Sequence, residues 1–396
     1  MPLYEIILKF SKDFFDLERI DITKSVSISS LALNTFLSNY YDHKQTPIKI
    51  PQYNQYCDIR EGYYGGRVEV FSSYVENAHW YDVNSIYPYI MLNDMPTGDI
   101  IKLTDNNLDN YYGFCYVTVT VPDHIKYPIL PFRYEGLLYY PVGCWSGWYS
   151  SELLRYARDI YNVNVIVHYG YKYNRTPDLL KKYVFKYYDL KKKSYDNEGK
   201  KLIAKLMLNS LYGRWGLKYI SSRTEIVTTK KAKEISLKYQ VVENEKLDDN
   251  LEYIKYNISP NEPLFHIDEG FYNNIKMKGE KESNHIIRSV GIAAMVTSNA
   301  LIYMDKFINS KNNICYYTDT DSGFFEKPLD PIYVGSNIGQ FKYEGLVKRG
   351  YFISFKLYCL VMAEGRTIIK SKGIPSKYLT ENEGVLQILN DVLDNI

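Results

Sequence analysis

YYTDTDSGFF, residues 316–325, decides the fold of this chain. Tyr316 and Tyr317 lead in, Phe324 and Phe325 lead out, and Asp319-Thr320-Asp321-Ser322 lies between them. Aromatic pairs on either side of a short polar run predict two strands joined by a tight turn. In extended chain, residues two apart share a face, so Asp319 and Asp321 are expected to project together from the tip. Adjacent carboxylates repel each other, and a hard divalent cation such as Mg²⁺, which takes oxygen ligands, relieves that repulsion. The plain alternative is a solvated turn, for which Asp, Thr and Ser are ordinary choices. Partners elsewhere in the chain must decide between the two.

Composition limits what those partners can be. The chain has 396 residues, enough for two or three domains and a sizeable core. Hydrophobic content of 45% and charged content of 24% place it among ordinary globular proteins. A net charge of +2 excludes a general polycation, so any nucleic-acid surface must arise by local clustering. The 42 tyrosines read mainly as a compositional bias shared with Lys, Asn and Ile. The cysteines (Cys57, Cys115, Cys144, Cys315 and Cys359) form no C-x-x-C pair, which argues against a zinc site or a disulfide framework. No apolar run approaches ~18 residues, so no membrane insertion is expected. The start, MPLYEIILKFSKDFFDLERID, lacks a signal-peptide layout and is too acidic for a transit peptide.

Outward from the hairpin, three further stretches bear chemistry. In WYDVNSIYPYIM, 80–91, Asp82 ends a strand and Pro88 suits the first turn of a helix while biasing Tyr87 away from helical geometry. A carboxylate at a strand end beside a helix N-terminus suits a metal-bound phosphate. KLIAKLMLNSLYGRWG, 201–216, continues a basic run from Lys181 and reads as a helix. Lys201, Lys205, Leu208 or Asn209, and Tyr212 share one face, Leu202, Leu206 and Leu211 lie on faces suited to packing, and Gly213 suits a stop. Two ammonium groups and a ring on one face fit a triphosphate and a base. In YYGGRVEVF, 63–71, Gly65-Gly66 reads as a turn or a close backbone approach, with a strand starting at Val68.

Other segments frame these. Leu3, Ile6, Ile7, Phe10, Phe14 and Leu17 give an apolar helix face within residues 1–40. Asp16-Leu17-Glu18 reads as helix surface. IIRSVGIAAMVTSNALIYMDKF, 286–307, is a helix with small residues fit for tight packing, and YFISFKLYCLVM, 351–362, is a strand with Lys356 and Tyr358 on one side. The divisions expected are 1–60, 61–110, 111–175 (an insertion with its own sheet), 176–217, 218–285 (a second insertion), 286–362 and 363–396. Asp82, Asp319 and Asp321 with a lysine-bearing helix match what nucleotidyl transfer requires, namely two metal ions ~3.5–4 Å apart and cations for a triphosphate.

DVNSIYP, KLMLNSLYG and YTDTDS resemble, in order, the three catalytic motifs of family B DNA polymerases. YYGG and KLY, 356–358, are similar to two further DNA-contacting motifs, and the spelling is closest to the protein-primed branch of linear mitochondrial plasmids and phages. The resemblance implies an α+β right-hand fold with an antiparallel palm sheet (61–110 and 286–362), helical fingers (176–217) and a short or truncated thumb (363–396). It implies Asp82 and Asp321 as principal ligands of two Mg²⁺ ions, with Asp319 assisting and Mn²⁺ as a possible substitute. Tyr87 would pack under the incoming sugar and exclude a 2′-hydroxyl. Lys205, Lys201 and a lysine among Lys191–Lys193, placed at Lys193, would hold the dNTP triphosphate, and Asn209 and Tyr212 would meet the nascent base pair. Gly65, Gly66, Ser85, Gly213, Thr297, Lys356 and Tyr358 would contact template or primer DNA. The first insertion would meet a priming protein, and the action would take place in a mitochondrion. Only ~60 residues precede YYGG in this sequence, so the expectation is a polymerase without the proofreading exonuclease that family members carry. Two rival readings follow: a truncated remnant that binds DNA or dNTP without extending a primer, and a glycosyltransferase using Asp319-Thr320-Asp321.

Overall fold

The computed structural model describes residues 3–194, 197–218, 222–257 and 289–374. The chain opens with helices α1 (Leu3–Glu18), α2 (Ile28–Thr35) and α3 (Tyr53–Glu61). Strands β1 (Val68–Val70) and β2 (Tyr74–Val83) lead to a short helix, α4 (Ile86–Ile90). An inserted unit follows, made of β3 (Met95–Leu103), β4 (Gly113–Val121), the small hairpin β5 (Phe132–Tyr134) and β6 (Leu137–Tyr139), β7 (Gly143–Ser150), α5 (Ser151–Tyr161) and β8 (Asn164–Thr176). Two basic helices, α6 (Lys181–Lys193) and α7 (Glu198–Trp215), come next. Then come β9 (Ser222–Thr228), α8 (Thr229–Lys238), β10 (Val241–Lys246) and β11 (Leu251–Asn257). Helix α9 (Val290–Ile308) precedes β12 (Cys315–Asp319), β13 (Ser322–Phe325), β14 (Phe341–Ser354), β15 (Leu357–Met362) and β16 (Thr367–Ser371).

The central sheet is antiparallel and runs β1-β12-β13-β2-β14-β15-β16. Its order is non-local: β2 lies between β13 and β14, which places Ser322 and Lys342 on either side of Asp82. One core contains Tyr317, Phe324, Phe352, Val75 and Leu360, with Tyr317 and Phe352 stacked at 4.7 Å and 9°. Another joins the strands to α2, α4, α6, α7 and α9. Ala204, Met207, Leu208, Leu211 and Trp215 bury one stripe of α7, and Phe36 meets Trp215 edge-on at 5.5 Å. Each such large side chain contributes roughly 1.5–3 kcal/mol, which roots α7 firmly.

Several expectations are corrected. Leu202 and Leu206 are exposed on α7, because the buried stripe runs through 204, 207, 208, 211 and 215. Gly213 does not stop α7, which continues to Trp215 and is capped by Gly216. The 351–362 stretch is not one strand: β14 and β15 meet at Phe355-Lys356, where Lys356 takes φ 61. The helix break in the first motif falls at Ser85 (φ 58), so Tyr87 is helical. Of the apolar face proposed for α1, Phe14 is buried, Phe10 and Leu17 are half-buried and Ile7 is exposed. Glu18 is not helix surface: it is 5% exposed. The described part of the second insertion is a three-stranded sheet with α8 packed on it, and 258–285 lies outside the described residues. Of the short thumb, β16 extends the central sheet and 375–396 lies outside the described residues.

Candidate active site

The β12–β13 hairpin forms as its sequence implies, with Asp319 opposite Ser322 and the turn closed by Thr320 at φ 62. β2 lies along its other side, and the Val83 N–H donates to the Asp321 carbonyl at 2.8 Å. Strand pairing thus brings Asp82 and Asp321 into electrostatic contact. The Asp82 carboxyl is pushed up to about 7, first by burial, then by the Asp321 and Glu344 charges, against the pull of Lys342 and Lys205. Burial and the Asp319 charge push Asp321 up to about 6. Two half-buried carboxylates that resist ionisation together are in the state a bound cation reverses.

Asp319 adds its charge to Asp321 and is itself engaged by a cation. Its carboxylate is ion-paired with the Lys356 ammonium, which the positive-φ turn of Lys356 aims at it. Among the described residues, no group of three His, Cys, Asp or Glu side chains is gathered closely enough to hold a metal ion. Asp82 and Asp321, hard oxygen donors with their charges unrelieved, nevertheless fit a divalent cation. Lys356 and Tyr358 face the carboxylates. Burial, then the Asp319 and Asp82 charges, push the Tyr358 hydroxyl up to about 12.

The cationic side of the site is built by α6 and α7. Of the three lysines ending α6, the one facing the site is Lys191 instead of Lys193, which is exposed in the last turn. The Lys191 ammonium donates to the Ser85 hydroxyl at 3.2 Å, so Ser85 sits with the lysines. Burial, then Lys205 and Lys201, lower the Lys191 pKa, while Asp82 raises it. Three like charges held close are stabilised by an anion. Tyr87 and Tyr212 pack ring against ring beside the Asp321 charge, 4.4 Å apart at 33°. Burial pushes both hydroxyls well above the usual range. Asn209 is exposed on α7.

The glycines divide. A Cβ at Gly65 or Gly213 would meet nothing within 4 Å, so both leave open space for a ligand. A Cβ at Gly66 would fall 2.6 Å from the Thr320 side chain, so this glycine serves the carboxylate turn itself. Thr297 does not reach the site. It is 3% exposed on α9 and its hydroxyl donates to the Ala294 carbonyl at 3.1 Å. Sequence reading missed Glu344 and Lys342, which are paired at 2.8 Å beside Asp82. The alternation in FKYEG marks a strand with Lys342 and Glu344 on one face, which was the available signal.

Among the described residues, no helix is long and apolar enough to cross a membrane. A fold of this kind is seen in phi29 DNA polymerase complexed with primer-template DNA (TM-score 0.67, 18% identity, 94% of this chain and 64% of that one). It is seen again in the ternary complex of phi29 DNA polymerase with incoming nucleotide substrates (TM-score 0.64, 18% identity, 90% and 62%). A probable DNA polymerase of Podospora anserina is 34% identical over 94% of this chain and 32% of that protein. One of Agaricus bitorquis is 32% identical over 100% of this chain and 52% of that protein. The chain thus spans about a third to a half of the curated relatives it matches. The family described as DNA polymerase type B, organellar and viral, matches residues 2–314. A glycosyltransferase reading of Asp319-Thr320-Asp321 is therefore set aside, and the chain belongs to the organellar and viral type B DNA polymerases.

Proposed function

We propose that this chain carries the polymerising centre of a DNA-directed DNA polymerase, transferring a nucleotide from a dNTP to a primer 3′-hydroxyl or to the hydroxyl of a priming protein. The observation that carries this is the meeting of opposite charges: Asp82 and Asp321, with raised pKa values, stand against a lysine group in which Lys205 and Lys191 feel Asp82 directly and Lys201 adjoins Lys191. A metal-bound triphosphate is the ligand that relieves both at once.

In this reading Asp82 and Asp321 hold Mg²⁺, with Mn²⁺ as a substitute. When bound, the metal lowers the charge barrier to attack of the hydroxyl and stabilises the leaving pyrophosphate oxygen. Lys191, Lys201 and Lys205 hold the triphosphate, and Ser85 holds the Lys191 ammonium toward them. Tyr87 packs under the sugar, and Tyr212 with Asn209 meets the base pair. Lys356 neutralises Asp319 and, with Tyr358, faces the primer end. Gly65 and Gly213 let template backbone approach. Contacts of this kind are to phosphate, so DNA binding is sequence-independent and weakens with salt.

Primer extension with Mg²⁺ tests the proposal. Incorporation by the wild type and not by Asp321→Asn supports it. DNA binding without incorporation by either leaves only a binding remnant. A priming protein at the 111–175 insertion and a mitochondrial place of action are proposed on the resemblance alone. Cross-linking to a co-expressed priming protein and organelle fractionation test them.

A further inference from the structure

Arg67 follows the twin glycines and is 3% exposed. Its guanidinium lies 4.3 Å from the ring centroid of Tyr140 and 5.3 Å from that of Phe71. It also forms a 2.6 Å ion pair with Glu69. A desolvated guanidinium held by two rings and one carboxylate is a rigid anchor, and its planar fork is difficult to replace.

The backbone of this anchor carries the carboxylate turn. The Arg67 carbonyl accepts the Thr320 N–H at 2.8 Å, and Thr320 is the left-handed residue between Asp319 and Asp321. On the far side the turn is held by the Val83 N–H. β1 forms the edge of the sheet and has three residues, too short to be fixed by its own ladder. Gly66 allows it to sit this close, because any Cβ there would strike Thr320. Tyr140 belongs to the inserted unit and packs against that unit's core. Its hydroxyl is buried with no partner among the described residues, so its contribution is the ring.

We infer that Arg67 is a positioning residue for the Asp319–Asp321 turn, clamped by Tyr140 so that the seating of the inserted unit sets where the carboxylates stand. This rests on the polymerase reading of the site, and it adds a mechanical path from the insertion to the centre. Neither Arg67 nor Tyr140 touches the reacting groups.

The test compares wild type, Tyr140→Phe, Tyr140→Leu and Arg67→Lys in the full chain. Mn²⁺ binding is read by electron paramagnetic resonance, folding by thermal melting, and single-nucleotide incorporation by kcat and KM. Tyr140→Phe keeps the ring and should match wild type within about twofold on every readout. Tyr140→Leu and Arg67→Lys should weaken Mn²⁺ binding and lower kcat by about tenfold, with KM for dNTP changed less than about twofold. A folded Tyr140→Leu that binds Mn²⁺ as the wild type does overturns the inference. So does a Tyr140→Phe as impaired as Tyr140→Leu. Should Tyr140→Leu not fold, Arg67→Lys decides alone, since lysine keeps the charge without bridging both rings and Glu69. If the wild type binds Mn²⁺ but incorporates nothing, the polymerase reading fails while the Mn²⁺ comparison still judges Arg67.

Discussion

The ring of Tyr212, on the helix that bears Lys201 and Lys205, lies 4.4 Å from that of Tyr87, and both hydroxyls feel the Asp321 charge. In the proposed reading, Tyr87 is the floor under the incoming sugar. Tyr87 is held in the short α4 helix with its ring packed on Tyr212, and on the proposed reading that ring excludes a 2′-hydroxyl. Tyr87→Val should therefore reduce discrimination against ribonucleotides by about a hundredfold, measured as the ratio of kcat/KM for dNTP and rNTP. An unchanged ratio would remove Tyr87 from its steric role.

Lys191 and Lys193 separate by helical phase, and kinetics should separate them too. Lys191 bonds to Ser85 and feels Lys201, Lys205 and Asp82, whereas Lys193 is exposed at the end of α6. Lys191→Ala should raise KM for dNTP by about tenfold, as expected for a lost charge-assisted contact, and Lys193→Ala by less than about twofold. Equal effects would return the assignment to Lys193.

Acidity should stabilise the metal-free chain. The Asp82 and Asp321 carboxyls are raised to about 7 and about 6 from 3.8, so the folded chain holds protons that the unfolded chain has released. Stability then falls as pH rises from about 4 to about 7, because the native state binds more protons in that window. Without metal, melting at about pH 8 should come roughly 3 °C below that at about pH 5, and millimolar Mg²⁺ should recover the difference at the higher pH. Asp305, also raised by burial, adds to the same slope, so the diagnostic comparison is with Asp82→Asn. If Asp82→Asn shows the wild-type slope and the wild-type response to Mg²⁺, the carboxylate pair is not the origin.

What the sequence made legible was local. The 316–325 hairpin, the strand and helix around Asp82, and the lysine face of α7 each follow from spacing within one element; strand pairing joins the first two, and packing of α7 against α4 and α9 adds the third. What it concealed depended on register and phase. Glu344 and Lys342 look like a solvated strand face until β14 is laid against β2 with Lys342 opposite Asp82. The engagement of Asp319 by Lys356 depends on a positive φ at a non-glycine residue, which no pattern in FKLY announces. Gly66 reads as a turn or a close approach to a ligand, yet its requirement comes from Thr320, more than two hundred residues away in sequence.

Glu18 carries the same lesson into stability. In sequence it belongs to an acidic D-x-E on an amphipathic helix, which reads as surface. In the fold its carboxylate accepts hydrogen bonds from Tyr40 at 2.8 Å, Tyr187 at 2.9 Å and Asn39 at 2.9 Å. Those donors come from the segment after α2 and from α6, so one buried carboxylate ties the N-terminal helices to the base of the lysine-bearing arm. Tyr187 lies one turn before Lys191 on α6, and a loosened base should also disturb the triphosphate site. Glu18→Ala leaves the buried Tyr187 hydroxyl and the half-buried Tyr40 hydroxyl without this acceptor, whereas Asn39 keeps the Glu18 backbone carbonyl. It should cost on the order of 2 kcal/mol in urea denaturation, while Glu18→Gln, which keeps one acceptor oxygen, should cost about 1 kcal/mol. KM for dNTP should rise in Glu18→Ala and stay near wild type in Glu18→Gln. A Glu18→Ala chain as stable as wild type would mean that the carboxylate is dispensable and that the aromatic packing of Tyr40, Tyr183 and Tyr187 alone holds the arm in place.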